Sequence, residues 1–249
     1  MITALRHRVE ELRVGLMFLT RLPMGHVARQ IPLAQTAWSW PLAGLLTGGT
    51  LALGQSAALA IGLPTATAVI CGMILSLLVT GGLHEDGLAD LADGVGGGAD
   101  RARRLEIMRD SRIGSYGVLA LVCILALQVS LWFAASAIWA QALCAAVLSR
   151  AALPALMALF PQARADGLGR NAARDMDTTV QVAALAIGLG LSVCLLGVTG
   201  VSAAVPCFMV QAGLCLWAKR MLGGITGDVL GAAQVLGLTT ALAWMVAWQ

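Results

Sequence analysis

Residues 30–84 read QIPLAQTAWSWPLAGLLTGGTLALGQSAALAIGLPTATAVICGMILSLLVTGGLH, fifty-five positions without one Asp, Glu, Lys or Arg. A membrane crossing takes roughly 20 apolar residues, so this stretch is too long for one span. Gly62, Leu63 and Pro64 interrupt it near its middle, and proline opens a helix far more readily than it continues one. The pattern predicts two membrane helices, at 37–60 and 65–83.

The same reading extends along the chain. From Ile113 to Phe160 the only charge is Arg150; a break near Ala135 gives helices at 114–134 and 137–160. From Thr178 to Ala218 there is no charge, and Gly197, Gly200 and Pro206 supply breaks, giving 179–199 and 201–218. A last apolar run follows Asp228 to Gln249. The expectation is about seven spans, or six if the last does not cross fully. Composition agrees: of 249 residues, 59% are hydrophobic and 12% charged, where a soluble domain carries about 25% charged residues. That balance excludes disorder and argues against a water-soluble enzyme, because too few charges remain to cover a surface. Cys71, Cys123, Cys144, Cys194, Cys207 and Cys215 lie in apolar runs with no C-x-x-C pair, so they read as small buried hydrophobes. No secretory signal is expected, since the segment before the first apolar run is long and mixed in charge. The fold class is all-α: a polytopic transmembrane helix bundle, one domain over 1–249.

If the spans alternate, segments 1–36, 84–113, 161–178 and 219–228 share one side and hold every charge except Arg150. The other side keeps uncharged turns near 62–65, 135–137 and 199–201. The positive-inside rule assigns the charged side to the cytoplasm. In the first segment Leu5, Val9, Leu12, Leu16 and Leu19 recur at helical spacing. That suits an amphipathic helix, lying in the interface or packed on the bundle.

Seven of the thirteen acidic residues fall between Glu85 and Asp110. The core reads Gly81-Gly82-Leu83-His84-Glu85-Asp86-Gly87-Leu88-Ala89-Asp90-Leu91-Ala92-Asp93-Gly94. On a helix Asp86, Asp90 and Asp93 fall within about 60° of one another. Three carboxylates on one stripe repel, and hard oxygen ligands suit Mg²⁺ or Mn²⁺; a solvated acidic face is the bland alternative. Gly94-Val95-Gly96-Gly97-Gly98 follows, then Arg101, Arg103, Arg104, Arg109 and Arg112. Glycines let backbone amides approach an anion, or simply form a linker. Arginines bind phosphate bidentately. Acids for metal beside arginines for phosphate describe a phosphoryl-transfer site. His84, Asp86, Asp90 and Asp93 are the catalytic candidates, with the three aspartates as metal ligands. Arg109, Asp110, Arg112, Arg150, Arg170 and Asp228 are the substrate-binding candidates. Arg109 and Arg112 would share a helix face and clamp a diphosphate, or anchor the third span to headgroups. Arg150, inside its span, is functional or snorkels to the interface. Gly223-Gly224-Ile225-Thr226-Gly227-Asp228-Val229-Leu230 echoes 81–88, through a distant repeat or by chance.

Residues 81–117, including Glu106-Ile107-Met108-Arg109-Asp110-Ser111-Arg112-Ile113-Gly114-Ser115-Tyr116-Gly117, closely resemble the cobalamin synthase (adenosylcobinamide-GDP ribazoletransferase) family. Phe18-Leu19-Thr20-Arg21-Leu22-Pro23, Pro41-Leu42-Ala43-Gly44 and Thr226-Gly227-Asp228-Val229-Leu230-Gly231-Ala232 resemble its other signatures. The resemblance implies a multi-pass protein of the bacterial inner membrane, with its active site on the cytoplasmic face and Mg²⁺ as cofactor. It implies that adenosylcobinamide-GDP is joined to α-ribazole or its 5′-phosphate, giving adenosylcobalamin or its 5′-phosphate and GMP. A ribazole hydroxyl would attack the phosphorus next to cobinamide, and GMP would leave. No nucleic acid partner is expected; a homo-oligomer is left open. One departure is visible: 234–240 carries no acid, where relatives are expected to have a glutamate. Two rival classes fit less well. A CDP-alcohol phosphotransferase needs Asp-Gly-x-x-Ala-Arg, and here Asp90 follows Ala89. A transporter places its charges near the midplane. GMP release separates all three.

Overall fold

The computed structural model describes residues 2–27, 29–164 and 172–249. Among them, helices follow one another in the order α1 Ile2–Leu19, α2 Leu33–Thr36, α3 Trp40–Ala60, α4 Thr65–Thr80, α5 Leu83–Gly97, α6 Arg101–Ile107, α7 Ser115–Ala134, α8 Ile138–Ala151, α9 Leu153–Leu159, α10 Thr178–Ser202, α11 Ala204–Leu222 and α12 Gly227–Ala247. The breaks fall where the sequence puts them. Gly62 takes φ +85° just before Pro64, between α3 and α4. Gly197 takes φ +58° and kinks α10.

Five stretches are long and apolar enough to cross a membrane: Leu33–Ala60, Ser115–Ala134, Ile138–Leu159, Thr178–Ser202 and Gly227–Ala247. A sixth is obtained if α4 and α5, bent by 88°, are taken as one broken span. By length and composition that makes five or six stretches, beside the expected seven or six. α4 has only 16 residues, about 24 Å of helix against a hydrocarbon core of about 30 Å. α11 brings Lys219 and Arg220 into its last turn. The end of α12 does reach the uncharged side, where Gln249 Oε1 accepts from the Ser136 backbone amide at 3.0 Å.

α8 and α12 form the centre. Residues 144–151 of α8 are all buried, as are 229–235 of α12. α3 crosses α8 at Gly44 and Gly48, where a Cβ would run into the backbone of Ala146 and Ala142. Small residues four apart let membrane helices meet backbone to backbone, where dispersion replaces the hydrophobic drive that lipid removes. Polar side chains join the helices further. Gln211 Nε2 donates to Ser149 O at 2.7 Å, Gln234 Nε2 to Ser149 Oγ at 2.9 Å, and Gln128 Nε2 to Thr239 Oγ1 at 2.9 Å. Gln234 opens the acid-free stretch of α12 and serves as one of these ties. α7 shows the opposite face of the design: Val118, Leu119, Val122 and Phe133 are exposed, as a lipid-facing helix requires. The amphipathic α1 is formed and rests on the bundle, with Phe18 stacked on Trp40 at 5.7 Å between ring centroids.

Candidate active site

Gly81 and Gly82 both adopt left-handed φ, +68° and +70°, which residues with a Cβ enter at a cost. They turn the chain sharply out of α4, so α5 runs off the direction of α4 by 88°, with Glu85 facing into the bundle and Asp86 facing a groove. α5 then passes tightly over the start of α12. A Cβ on Gly87 would lie 2.8 Å from the backbone oxygen of Asp228, and one on Gly231 would lie 3.3 Å from the His84 backbone. This crossing brings Asp86 and Asp228 to the same groove.

The segment before the undescribed residues completes it. Ala163 N donates to Ile225 O and Ile225 N to Pro161 O, both at 2.8 Å, around a parallel bridge between Gln162 and Ile225. That pairing fixes Arg164, whose guanidinium meets Asp228 at 3.1 Å. The result is a groove with about 340 Å³ of free space. His84, Asp86, Gln162, Arg164, Thr226 and Asp228 give it polar lining; Phe18, Leu33, Trp40, Leu153 and Met157 give it apolar wall.

The three aspartates of α5 meet three different surroundings. Asp93 accepts from Gly114 N at 2.7 Å and from Gly117 N at 2.8 Å. Its carboxylate therefore caps the start of α7, where free amides and the helix dipole favour an anion. This corrects the reading of a common metal face: the stripe is about 10 Å long at 1.5 Å per residue, and α7 docks on its far part. Asp86 is exposed in the groove, and Asp90 is half-buried beside it. Partial burial, and then the negative charges of Asp86 and Asp228, push the Asp90 carboxyl up to about 6, against the opposing pull of Arg164. Among the described residues no three His, Cys, Asp or Glu side chains converge on one metal position. The donor set still fits Mg²⁺, which needs only one or two protein carboxylates when substrate phosphate and water complete its shell. Asp86 and Asp90 could supply such carboxylates, whereas each Asp93 oxygen already accepts a backbone amide of the α7 start.

The arginines divide in the same way. Arg101 donates to Ala163 O at 3.2 Å and Arg104 to Met221 O at 3.1 Å, fastening α6 across the bundle. Gly94 to Gly97 belong to α5 rather than to a phosphate loop. α6 stops at Ile107, so Arg109 and Arg112 do not share a helix face, and neither lines the groove. Arg112 is instead held by Asp110, its Nε donating to Oδ1 at 3.0 Å. That guanidinium holds the Asp110 carboxyl down at about 2. Arg150 is 2% exposed and lines a separate cavity inside the bundle, so the groove offers it no substrate. Arg170 lies outside the described residues. Among the described residues Arg164 is the cation that lines the groove, and spacing does not single it out: its placement depends on the 161–163 pairing with 225, which no local motif announces.

The chain matches the family model described as cobalamin-5-phosphate synthase over residues 11–246. It is 41% identical to a protein of Bradyrhizobium diazoefficiens named adenosylcobinamide-GDP ribazoletransferase, over 98% of this chain and 96% of that protein. A protein of the same name from Azorhizobium caulinodans is 42% identical over 89% of each chain. One from Leptothrix cholodnii is 38% identical over 97% of each. No solved structure shows a significant match.

Proposed function

Because the chain belongs to the cobalamin-5-phosphate synthase family, we propose that it transfers the adenosylcobinamide phosphate group of adenosylcobinamide-GDP to α-ribazole or α-ribazole 5′-phosphate. The ribazole hydroxyl forms a new bond to the phosphorus attached to cobinamide, its proton is lost, and the bond to GMP breaks. The observation that carries the reading is the groove at the α5–α12 crossing: the Asp86 carboxylate, with Asp90 one turn further along α5, faces the Arg164–Asp228 pair against an apolar aromatic wall. Asp86 and Asp90 would hold Mg²⁺, which when bound supplies charge neutralisation to the diphosphate. Arg164 orients phosphate oxygens from the other wall. Asp228 holds Arg164 in place through the 3.1 Å pair. Phe18, exposed at the groove and backed by the buried Trp40, receives the flat base of the ribazole, since aromatic stacking is tolerant of substituents. The membrane is the bacterial inner membrane and the groove opens to the cytoplasm, where nucleotide-activated substrate is made; the concentration of charge on one side supports this.

The test uses the purified protein in lipid nanodiscs with both substrates and Mg²⁺. GMP and a corrinoid carrying the lower base should form in equal amounts and stop on chelation. Consumption of adenosylcobinamide-GDP without GMP, or no consumption at all, rejects the reading.

A further inference from the structure

A second cavity lies within the bundle, bordered by α3, α4, α5, α7, α8 and α12. Glu85, His84, Gln128, Trp132, Arg150 and Gln234 contribute its polar wall. Arg150 is 2% exposed and His84 4%. Four polar atoms here have no hydrogen-bond partner among the described residues: Glu85 Oε2, His84 Nε2, Trp132 Nε1 and Arg150 Nε. The Arg150 Nη1 donates only within its own helix, to Ala146 O at 2.9 Å and to Ser149 Oγ at 3.4 Å. Enclosed donors and acceptors without partners are strongly disfavoured, the more so when charged and inside a membrane bundle. Glu85 and Arg150 act on each other electrostatically, yet no ion pair within 4 Å joins them among the described residues.

The cavity has about 40 Å³ of room for water centres, where one water needs about 10–15 Å³ by that measure. A free anion would be repelled by Glu85 and a free cation by Arg150. Water satisfies both, since it donates to the carboxylate and accepts from guanidinium and indole N–H.

We propose that this cavity is a bound-water site through which Arg150 of α8 holds Glu85 of α5, and so positions the neighbouring Asp86 in the groove. Arg150 is then a positioning residue rather than a substrate contact. The assignment rests on the proposed transfer reaction for its kinetic readout, but not for its thermal one.

The experiment is a double-mutant cycle in nanodiscs with Arg150→Met, Glu85→Gln and the pair, plus Arg150→Lys. Each of the first two leaves one buried charge without its partner, so kcat should fall tenfold or more with KM for both substrates within twofold. The double variant removes both charges and should recover kcat to within about threefold of the parent, as paired buried charges often allow. Arg150→Lys should stay near the parent, because a water-bridged charge tolerates a change of donor shape and a bidentate substrate contact does not. Thermal midpoints measured without substrate should follow the same order: low in the two neutralising singles, restored in the pair. Additive losses in the double variant overturn the proposal. So does an Arg150→Lys loss equal to that of Arg150→Met, or a raised KM for the GDP-linked substrate with kcat kept. If no variant and no parent releases GMP, the transfer reading fails, while the thermal cycle still decides the coupling.

Discussion

At 81–88 the chain runs Gly-Gly-Leu-His-Glu-Asp-Gly-Leu, and at 223–230 it runs Gly-Gly-Ile-Thr-Gly-Asp-Val-Leu. Both segments leave a helix on a left-handed glycine and both deliver an aspartate to the groove. In the first, two left-handed glycines lead straight into α5, with no side-chain cap at Gly82. In the second only Gly223 is left-handed. Ile225 is then paired with Gln162 and Thr226 caps α12. Asp228 consequently has Arg164 at 3.1 Å, whereas Asp86 has no ion-pair partner among the described residues. An eight-residue pattern therefore places a carboxylate but does not decide what neutralises it; that is decided by which segment packs alongside.

The largest expected effect tests this asymmetry directly. Asp86→Asn removes a carboxylate that has no ion-pair partner among the described residues and that the proposed reaction assigns to the substrate complex, and GMP release should fall at least a hundredfold with the protein still folded and monodisperse. Asp228→Asn leaves Arg164 in the groove without its partner and should cost nearer tenfold. Combining it with Arg164→Met should cost little more than the Arg164 change alone, because the two act as a unit. Equal losses at Asp86 and Asp228 would erase the distinction between the two turns.

The second glycine of each turn sharpens the comparison through stability. At Gly224 a Cβ would run into Pro161 O and the Ala163 amide, the same atoms that hold Arg164 in place. Gly224→Ala should destabilise by about 1–3 kcal/mol, as overpacking does, and lower activity with it. At Gly82 nothing lies within 4 Å of such a Cβ; only the left-handed φ resists, at about 1–2 kcal/mol. Gly82→Asn, whose side chain suits that region, should recover most of the loss, while Gly224→Asn should not. Rescue at both positions would mean that both glycines serve conformation alone.

Much of this was legible in the residues. Charge-free length gave the helices, and glycine with proline gave their breaks at 62–64. The acidic stripe gave the right helix for the groove. What spacing could not give was the third dimension of that stripe. Asp93 obeys the same periodicity as Asp86 and Asp90, but the start of α7 arrives from 21 to 24 residues further on and takes it. Arg164 was visible only as one charge among several, since a two-bond backbone pairing with Ile225 has no signature in sequence. Arg109 and Arg112 were misread because a three-residue spacing implies a shared face only on a helix, and α6 ends before them.

Asp93 yields a third outcome. If it serves α7 rather than a metal, Asp93→Asn keeps one acceptor oxygen, loses the charge, and should lower stability by about 1–2 kcal/mol, in the range of a lost helix cap. The thermal midpoint should drop with little change in the Mg²⁺ dependence of GMP release. A shift in Mg²⁺ dependence as large as that of Asp86→Asn would return Asp93 to the metal.

The smallest effect belongs to Thr226, which marks the other difference between the turns. Its hydroxyl accepts from Val229 N at 3.3 Å and donates to Asp228 Oδ2 at 3.2 Å. Both bonds are long, and α12 is buried along most of its length, so packing rather than the cap supplies most of its stability. Thr226→Ala should cost about 1 kcal/mol. Thr226→Ser keeps the hydroxyl and should be silent in both stability and turnover. The Ala variant should also loosen the hold on Asp228, and a twofold to threefold fall in kcat should accompany the thermal shift. The corresponding position in the first turn is His84, buried against α12 with no role in capping. His84→Thr should therefore install no cap there, because α5 already begins one residue earlier, at Leu83. A stabilised His84→Thr protein would show that the two turns are interchangeable after all, and that their different geometry follows from this one residue rather than from the segment at 161–164.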